Sequence, residues 1–143
     1  MDVGCGPSRL GLELSGMFKN AKVDLFDFSE DVTKAVDKKY DMIVASHSIN
    51  LFIDPQKTIE QLVSCLKTDG VMVMADLFGW KEDREKERRV FYDGESFGRY
   101  MKELDTVEVI DVFRVGPYCE EVNAERIDSY VSHIVVLEKK LKE

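Results

Sequence analysis

Two glycines separated by one residue stand near the start of the chain, in the run DVGCGPSR of residues 2–9. Glycine lets a backbone turn sharply and approach a ligand closely. An apolar stripe typical of a helix follows over residues 8–19, and a helix N-terminus offers unpaired N–H donors at the positive end of its dipole. Such a turn suits a plain strand-to-helix corner, and it also suits a binding loop for a polar ligand.

An acidic residue, Asp27, lies 21 positions after Gly6. This interval has room for one helix and one strand, and the alternating pattern of residues 22–28 predicts the strand. Asp27 would then stand at the carboxyl end of that strand, where a carboxylate can accept hydrogen bonds from both ribose hydroxyls of a nucleotide-like ligand. The turn and the acid together therefore favour a cofactor site over a plain corner.

The middle of the chain alternates between strand and helix patterns. Nearly continuous apolar runs at 40–46 and 71–77 predict strands buried on both faces. Between them, residues 55–67 predict a helix that Asp54 caps and Pro55 begins. This alternation predicts a parallel sheet flanked by helices.

The last third of the chain predicts one helix at about 95–104 and two β-rich runs, 106–115 and 130–138, joined by a polar loop. No helical pattern separates these runs, so we expect them to pair antiparallel. We predict one domain over residues 1–143, a three-layer Rossmann-like α/β fold. Its mostly parallel sheet has about six strands and ends in an antiparallel hairpin.

Four segments resemble class I S-adenosylmethionine-dependent methyltransferases, and they occur in the family's order. Residues 2–7 resemble the first motif, and residues 27–29 are similar to the ribose-binding acid. Residues 40–48 are similar to the fourth strand with its following loop, and residues 66–74 to the "L-K-P-G-G" turn into the fifth strand. The methyltransferase type 11 group is the most similar. The resemblance is looser over 95–138, where only the helix and the final strand pair match.

The resemblance implies S-adenosyl-L-methionine as cofactor and gives roles to the first motif. Gly4 and Gly6 would let the loop pass under the methionine part, with Cys5 as a small residue between them. Asp2 would orient the loop or meet the cofactor's ammonium group. Asp27 would hold the ribose.

The resemblance also implies that Phe28 lies against the adenine, and that Ser46 and His47 line the side nearest the sulfonium. His47 is the candidate catalytic residue, a general base for a hydroxyl or amine before methyl transfer. The alternative is an ordinary loop histidine. The sequence indicates no metal site.

Two other chemistries within this fold have less support. A dinucleotide oxidoreductase would carry a third glycine or an alanine where Arg9 stands. Methylation of an amino nitrogen would be indicated by an Asn/Asp-Pro-Pro-Tyr motif, whereas residues 46–50 are Ser-His-Ser-Ile-Asn. The resemblance to the methyltransferase type 11 group implies methylation of a small molecule, with the acceptor left open.

The chain departs from the family pattern in two places. Only Met1–Val3 precede the glycine turn, and the N-terminal helices typical of the family are missing. Ten residues separate Ser29 from Tyr40, too few for the usual helix, third strand and adenine-reading residue. For the short interval, either an edge strand is lost or a partner covers the gap. For the short first strand, the alternative is that residues upstream of Met1 complete it.

These departures keep a second class of function open: a catalytically inactive methyltransferase-like binding or scaffold protein that works with a partner subunit. They also predict a homodimer, or a complex with another subunit, because apolar surface would be left uncovered.

Composition restricts the other partners. The net charge is −8, from 28 acidic and 20 basic residues, which disfavours nucleic acid. No apolar run is long enough to span a membrane, and no secretory signal begins the chain. The three cysteines are far apart and odd in number, so we expect a reducing, cytoplasmic location.

Overall fold

The computed structural model describes residues 1–6, 10–27, 37–78, 94–123 and 126–140. These ranges contain six strands, three α-helices and one short 3₁₀ turn. In chain order they are β1 (Asp2–Val3), α1 (Leu10–Met17), β2 (Leu25–Phe26), β3 (Tyr40–Ser46), the 3₁₀ turn (Ile49–Leu51), α2 (Pro55–Cys65), β4 (Leu66–Phe78), α3 (Gly94–Glu103), β5 (Val107–Asn123) and β6 (Arg126–Lys139).

All six strands form one sheet in the order β2-β1-β3-β4-β6-β5. The first four strands in that order are parallel, β6 is antiparallel to β4, and β5 is antiparallel to β6. This confirms the predicted fold. Within the described residues β2 is an outer strand. Of the ten residues between Ser29 and Tyr40, where the family has its third strand, 30–36 lie outside the described residues.

Helix α2 begins where the sequence predicts and ends two residues early. The Asp54 side chain accepts a hydrogen bond from the backbone N–H of Lys57 at 3.1 Å, and Pro55 occupies the first turn. At the other end, Leu66 has extended backbone and pairs with Tyr40, so β4 starts immediately after Cys65. Pairing to the sheet therefore shortens the predicted helix 55–67.

The helices cover the sheet unequally. Ile43 and Ala45 of β3 are fully buried in one apolar core. That core includes residues of α2 and α3: Ile59, Leu62, Val63, Phe97 and Met101. The next residues along β3, Met42 and Val44, point to the opposite face, where they line a cavity together with Leu14 of α1. The protein therefore has three layers, as predicted.

Burial on both faces was predicted for the central strands, and this is wrong for the described structure. Met42 is 43% exposed, and Val44 and Val73 are only half-buried. Of the helices that the structure describes, only α1 lies on this side. It packs over β1 and β2, because Gly11 lies so close to Leu25 and Asp2 that a Cβ there would clash.

The C-terminal hairpin is longer than predicted. Strands β5 and β6 continue to Asn123 and from Arg126, so most of the predicted polar loop is paired strand. Among the strands that the structure describes, β5 is an outer one, and its pairing with β6 has register shifts. The Asp111 carboxylate also accepts from the Val112 N–H at 2.8 Å. Irregular pairing and a charged residue are features that discourage further strands from joining an edge.

Two further observations concern the described residues alone. None of their helices is both long enough and apolar enough to cross a membrane. Their histidine, cysteine and acidic side chains nowhere gather in a group of three that would hold a metal ion.

Candidate cofactor site

Four parallel strands end at the same edge of the sheet. Val3 is in register with Phe26 on one side and with Ala45 on the other, and Ser46 is in register with Ala75 of β4. The glycine turn after β1, Asp27 after β2 and the loop after β3 therefore meet at one edge. In open α/β sheets, ligands bind in the crevice at this edge.

The glycine turn is held by its neighbour β2. The backbone N–H groups of Gly4 and Cys5 both donate to the carbonyl oxygen of Phe26, at 2.7 and 3.0 Å. Gly4 (φ 67°) and Gly6 (φ 44°) have left-handed backbone, which glycine adopts readily and most other residues do not. A Cβ on Gly6 would meet nothing within 4 Å among the described residues.

Asp2 lies under α1. It is 2% exposed, and its carboxylate accepts a hydrogen bond from the backbone N–H of Gly11. Its Oδ2 is buried with no hydrogen-bond partner in the described part of the chain. Burial raises the pKa of Asp2, and the Gly11 N–H only partly opposes this. The contact with Gly11 gives Asp2 a means of orienting the helix that follows the turn.

The other predicted residues of the first half are placed as follows. Asp27 is half-buried directly after β2, and Cys5 is half-buried inside the turn. Among the described residues Cys5 takes part in no disulfide. Phe28, predicted to lie against adenine, is outside the described residues.

His47 has an unusual backbone. Its φ is 52°, a left-handed value that is uncommon for a residue with a side chain. Its N–H donates to the carbonyl oxygen of Ala75 at 2.7 Å, which fixes the turn after β3. The side chain is exposed, and its Nε2 lies 3.4 Å from the Ser132 hydroxyl. Strained backbone of this kind is frequent at functional sites.

Two serines at this edge make contacts that the sequence did not predict, although Ser48 belongs to the predicted loop 46–48. Ser48 is buried and donates its hydroxyl to the carbonyl oxygen of Val3 at 3.1 Å, which ties the loop after β3 to β1. Ser132 of β6 is 4% exposed and reaches His47. No spacing rule would have found Ser132, because its place follows from its pairing with Leu77 in the antiparallel register.

A cavity of about 490 Å³ lies elsewhere, toward the amino ends of the strands. Leu14, Phe18, Met42 and Val44 give it apolar walls, and Asp2 also lines it. Asp2 is thus the one predicted site residue of the described chain that lines this cavity, and the others that the structure describes lie at the carboxyl edge.

Comparison with known proteins identifies the family. A family model described as "Methyltransferase domain" matches residues 1–109. No curated protein matches the chain.

Solved structures with the same fold include several methyltransferases at low identity. The plantazolicin methyltransferase BpumL, in complex with SAH, has a TM-score of 0.65 and 17% identity over 98% of this chain and 75% of its own. A putative methyltransferase (BH2331) from Bacillus halodurans C-125 has a TM-score of 0.61 and 12% identity over 98% and 91%.

The fold is not restricted to methyl transfer. The [4+2]-cyclase SpnF has a TM-score of 0.67 and 16% identity, over 99% of this chain and 74% of its own. These likenesses show the fold, and the family match covers most of the chain. This chain belongs to the methyltransferase domain family and has the class I methyltransferase fold.

Proposed function

We propose that this chain binds S-adenosyl-L-methionine and transfers its methyl group to a small molecule. The main support is the meeting, at one sheet edge, of a left-handed glycine turn, the carboxylate of Asp27 and the loop that carries His47. The family match and the SAH bound to BpumL favour this cofactor.

The described residues fit such a cofactor. No described residue comes within 4 Å of a Cβ placed on Gly6, and the left-handed backbone at Gly4 and Gly6 would let the methionine part approach the main chain. Asp27 is half-buried, so its carboxylate combines access with a partly desolvated position. A carboxylate there would accept hydrogen bonds from the ribose hydroxyls. Cys5 and Ser46 would complete the lining, and Phe28 is proposed for the adenine face.

The cofactor supplies a methyl group that its sulfonium already activates. The protein's task is to position the acceptor and to exclude water. We assign His47 the role of general base, which would take the proton from a hydroxyl or amine of the acceptor. Its backbone bond to Ala75 and the nearby Ser132 hydroxyl hold it at the edge.

Cofactor binding tests the site directly. Asp27→Ala should weaken binding by on the order of 2–4 kcal/mol, because two hydrogen bonds to a charged acceptor are lost. Isothermal titration with S-adenosylmethionine and with SAH measures the loss. Asp105→Ala is the matched control, since Asp105 is an exposed aspartate in the turn before β5. Equal affinities for the two variants would remove Asp27 from the site.

The alternative is a binding or scaffold protein of this family without catalysis. A measurement of methyl-transfer turnover distinguishes this alternative from an active enzyme. His47→Gln should lower the rate of methyl transfer to an acceptor by a larger factor than it weakens cofactor binding. Cofactor binding without transfer to any of a broad panel of small hydroxyl and amine acceptors would favour the inactive alternative. Absence of cofactor binding at millimolar concentration would contradict both the cofactor and the site.

We further propose that residues 1–143 act as one domain in the cytoplasm, with no nucleic-acid or membrane partner. Within the described residues neither Cys5 nor Cys65 is joined in a disulfide, which suits a reducing compartment, and the net charge of −8 opposes binding to phosphate backbones. The exposed apolar side chains of Met17, Phe18 and Met42 on the α1 side of the sheet favour a homodimer or a partner subunit.

A further inference from the structure

Ser132 is a buried polar residue in an apolar part of the sheet. It is 4% exposed, and Ile134 and Val136 follow it on the same face of β6. Burying a hydroxyl costs free energy unless the hydroxyl forms a hydrogen bond. Within the described part of the chain, the partner of the Ser132 hydroxyl is Nε2 of His47, at 3.4 Å. Catalytic hydrogen bonds are often long before substrate binds, so this distance suits a working contact.

The main chain that carries the His47 ring is fixed on both sides. Its N–H donates to the carbonyl oxygen of Ala75 at 2.7 Å, and the next residue, Ser48, donates its hydroxyl to the carbonyl oxygen of Val3 at 3.1 Å. The remaining freedom of the imidazole is rotation about its two side-chain bonds. The contact with Ser132 restricts this rotation, so it sets the direction in which each ring nitrogen points.

The two nitrogens of the His47 ring have different surroundings. Nε2 faces Ser132, whereas Nδ1 has no hydrogen-bond partner among the described residues, and the side chain is exposed. A neutral imidazole carries a proton on one nitrogen and an accepting lone pair on the other. The hydrogen bond made by one nitrogen decides which of the two forms is present. The direction of the bond between His47 and Ser132 therefore decides whether Nδ1 can act as a base.

We propose that Ser132 is a positioning residue: its Oγ accepts a hydrogen bond from the Nε2–H of His47, which leaves the Nδ1 lone pair free for the methyl acceptor. Nδ1 then takes the proton of the acceptor's hydroxyl or amine. In the same step the oxygen or nitrogen of that group replaces sulfur on the methyl carbon, and the electron pair of the broken bond goes to sulfur. The catalytic role rests on the function proposed above, whereas the position of the ring proton does not.

The opposite arrangement would leave the base facing the wrong way. If Ser132 donated its hydroxyl proton to Nε2, the ring proton would be on Nδ1, and the lone pair would face the buried serine. In the proposed arrangement the Ser132 oxygen already accepts from the ring. It can therefore stabilise the positive charge that His47 gains, without first having to reorient.

The first test locates the ring proton by NMR. Long-range ¹H–¹⁵N correlation spectra at about pH 8.5, where a histidine side chain is ordinarily neutral, distinguish a protonated ring nitrogen from one with a lone pair. The chain has two histidines, so the signals of His47 are those lost in His47→Gln. Wild type should carry the proton on Nε2, and Ser132→Ala should show a mixture of both forms. A proton on Nδ1 in wild type, or a ring that Ser132→Ala does not alter, would overturn the inference.

Turnover tests the catalytic role. Ser132→Ala should lower kcat roughly tenfold, less than the ~10²–10⁴-fold expected for loss of a general base, with little change in KM or in cofactor affinity. Ser132→Thr keeps a hydroxyl and should retain more of the rate. An unchanged kcat in Ser132→Ala would overturn the positioning role. Failure of the proposed function would differ from this result, because the wild type itself would then transfer no methyl group while its ring proton still lay on Nε2.

Thr58→Val is the matched control. It also removes a buried hydroxyl, one that donates to the carbonyl oxygen of Asp54 at 2.8 Å within helix α2. This variant should leave both the His47 ring proton and kcat unchanged. Equal losses of kcat in Thr58→Val and Ser132→Ala would assign the effect to general destabilisation and overturn the specific role of Ser132.

Discussion

The two faces of the sheet are built from the same strands and similar residues, yet they are packed very differently. Ile43 is fully buried under α2 and α3, and its chain neighbour Met42 is 43% exposed on the α1 side. On β4, Met72 and Met74 are fully buried, while Val73 between them is half-buried. Hydrophobic residues on both faces of a strand show that both can be covered. Whether they are covered depends on helices elsewhere in the chain or in a partner.

The largest effect should come from truncating the covered face. Ile43→Ala should lower the free energy of unfolding by about 2–5 kcal/mol, because it removes buried contacts and leaves a cavity in a tight core. Met42→Ala should cost less than about 1 kcal/mol in the monomer, because the side chain is already partly hydrated. Urea denaturation of both variants at low concentration measures the contrast, and similar losses would show that the two faces are equally packed.

A smaller effect concerns Asp2, which points to the α1 side. Its burial raises its pKa, so the folded state binds the proton more tightly than the unfolded state. The free energy of unfolding should therefore fall as pH rises from the ordinary value of 3.8 through the raised one. Asp2→Asn removes this dependence and should stabilise the protein near pH 7, on the order of 1–2 kcal/mol.

The measurement for Asp2 is urea denaturation of wild type and Asp2→Asn at several values between about pH 4 and pH 7. The difference between the two proteins should grow with pH. A difference that stays constant over this interval would show that Asp2 titrates as an ordinary exposed aspartate, and that this face is wetter than the structure implies.

The smallest effect concerns Tyr40, where the two faces meet at the start of β3. Its hydroxyl donates to the Asp24 carboxylate at 3.0 Å, and burial together with that bond raises the pKa of Tyr40 to about 12. Tyr40→Phe should cost about 0.5–1.5 kcal/mol at neutral pH.

The pH dependence of this cost has a defined sign. Because the folded pKa is raised from 10.0 to about 12, the contribution of Tyr40 is complete below pH 10 and is lost as pH rises through 12. Thermal unfolding of wild type and Tyr40→Phe should therefore converge at high pH. A difference that persists unchanged would assign the effect to packing.

Local signals in the sequence predicted the architecture well. Asp54 and Pro55 mark the start of α2 because capping is a property of a few neighbouring residues. The alternation of strand and helix patterns correctly predicted the parallel half of the sheet. The lack of a helical pattern between β5 and β6 correctly predicted the antiparallel hairpin. These features need no knowledge of distant contacts.

Features that depend on distant contacts were not predictable. The proximity of Ser132 to His47 joins residues 85 positions apart and follows from the strand register. The left-handed backbone of His47 has no sequence signature, since glycine is the residue expected there. Met42 is exposed because, of the described helices, only α1 lies on its side of the sheet, and α1 packs over β1 and β2. The sequence thus predicted which loops form the candidate site. It did not predict the contacts that hold those loops in place.

The two-residue strand β1 has a consequence for the order in which the chain becomes organised. Asp2 pairs with Leu25 and with Val44, partners 23 and 42 positions along the chain, whereas the β5–β6 turn joins residues three positions apart. Closing a long loop costs more chain entropy than closing a short one. Only the few backbone hydrogen bonds of β1 offset that cost. The glycine turn and Asp27 therefore follow strands that form few backbone hydrogen bonds in return for the chain entropy lost when they pair. A ligand that bridges β1 and β2 would supply what those short strands lack, so binding and local ordering at this edge are thermodynamically one event.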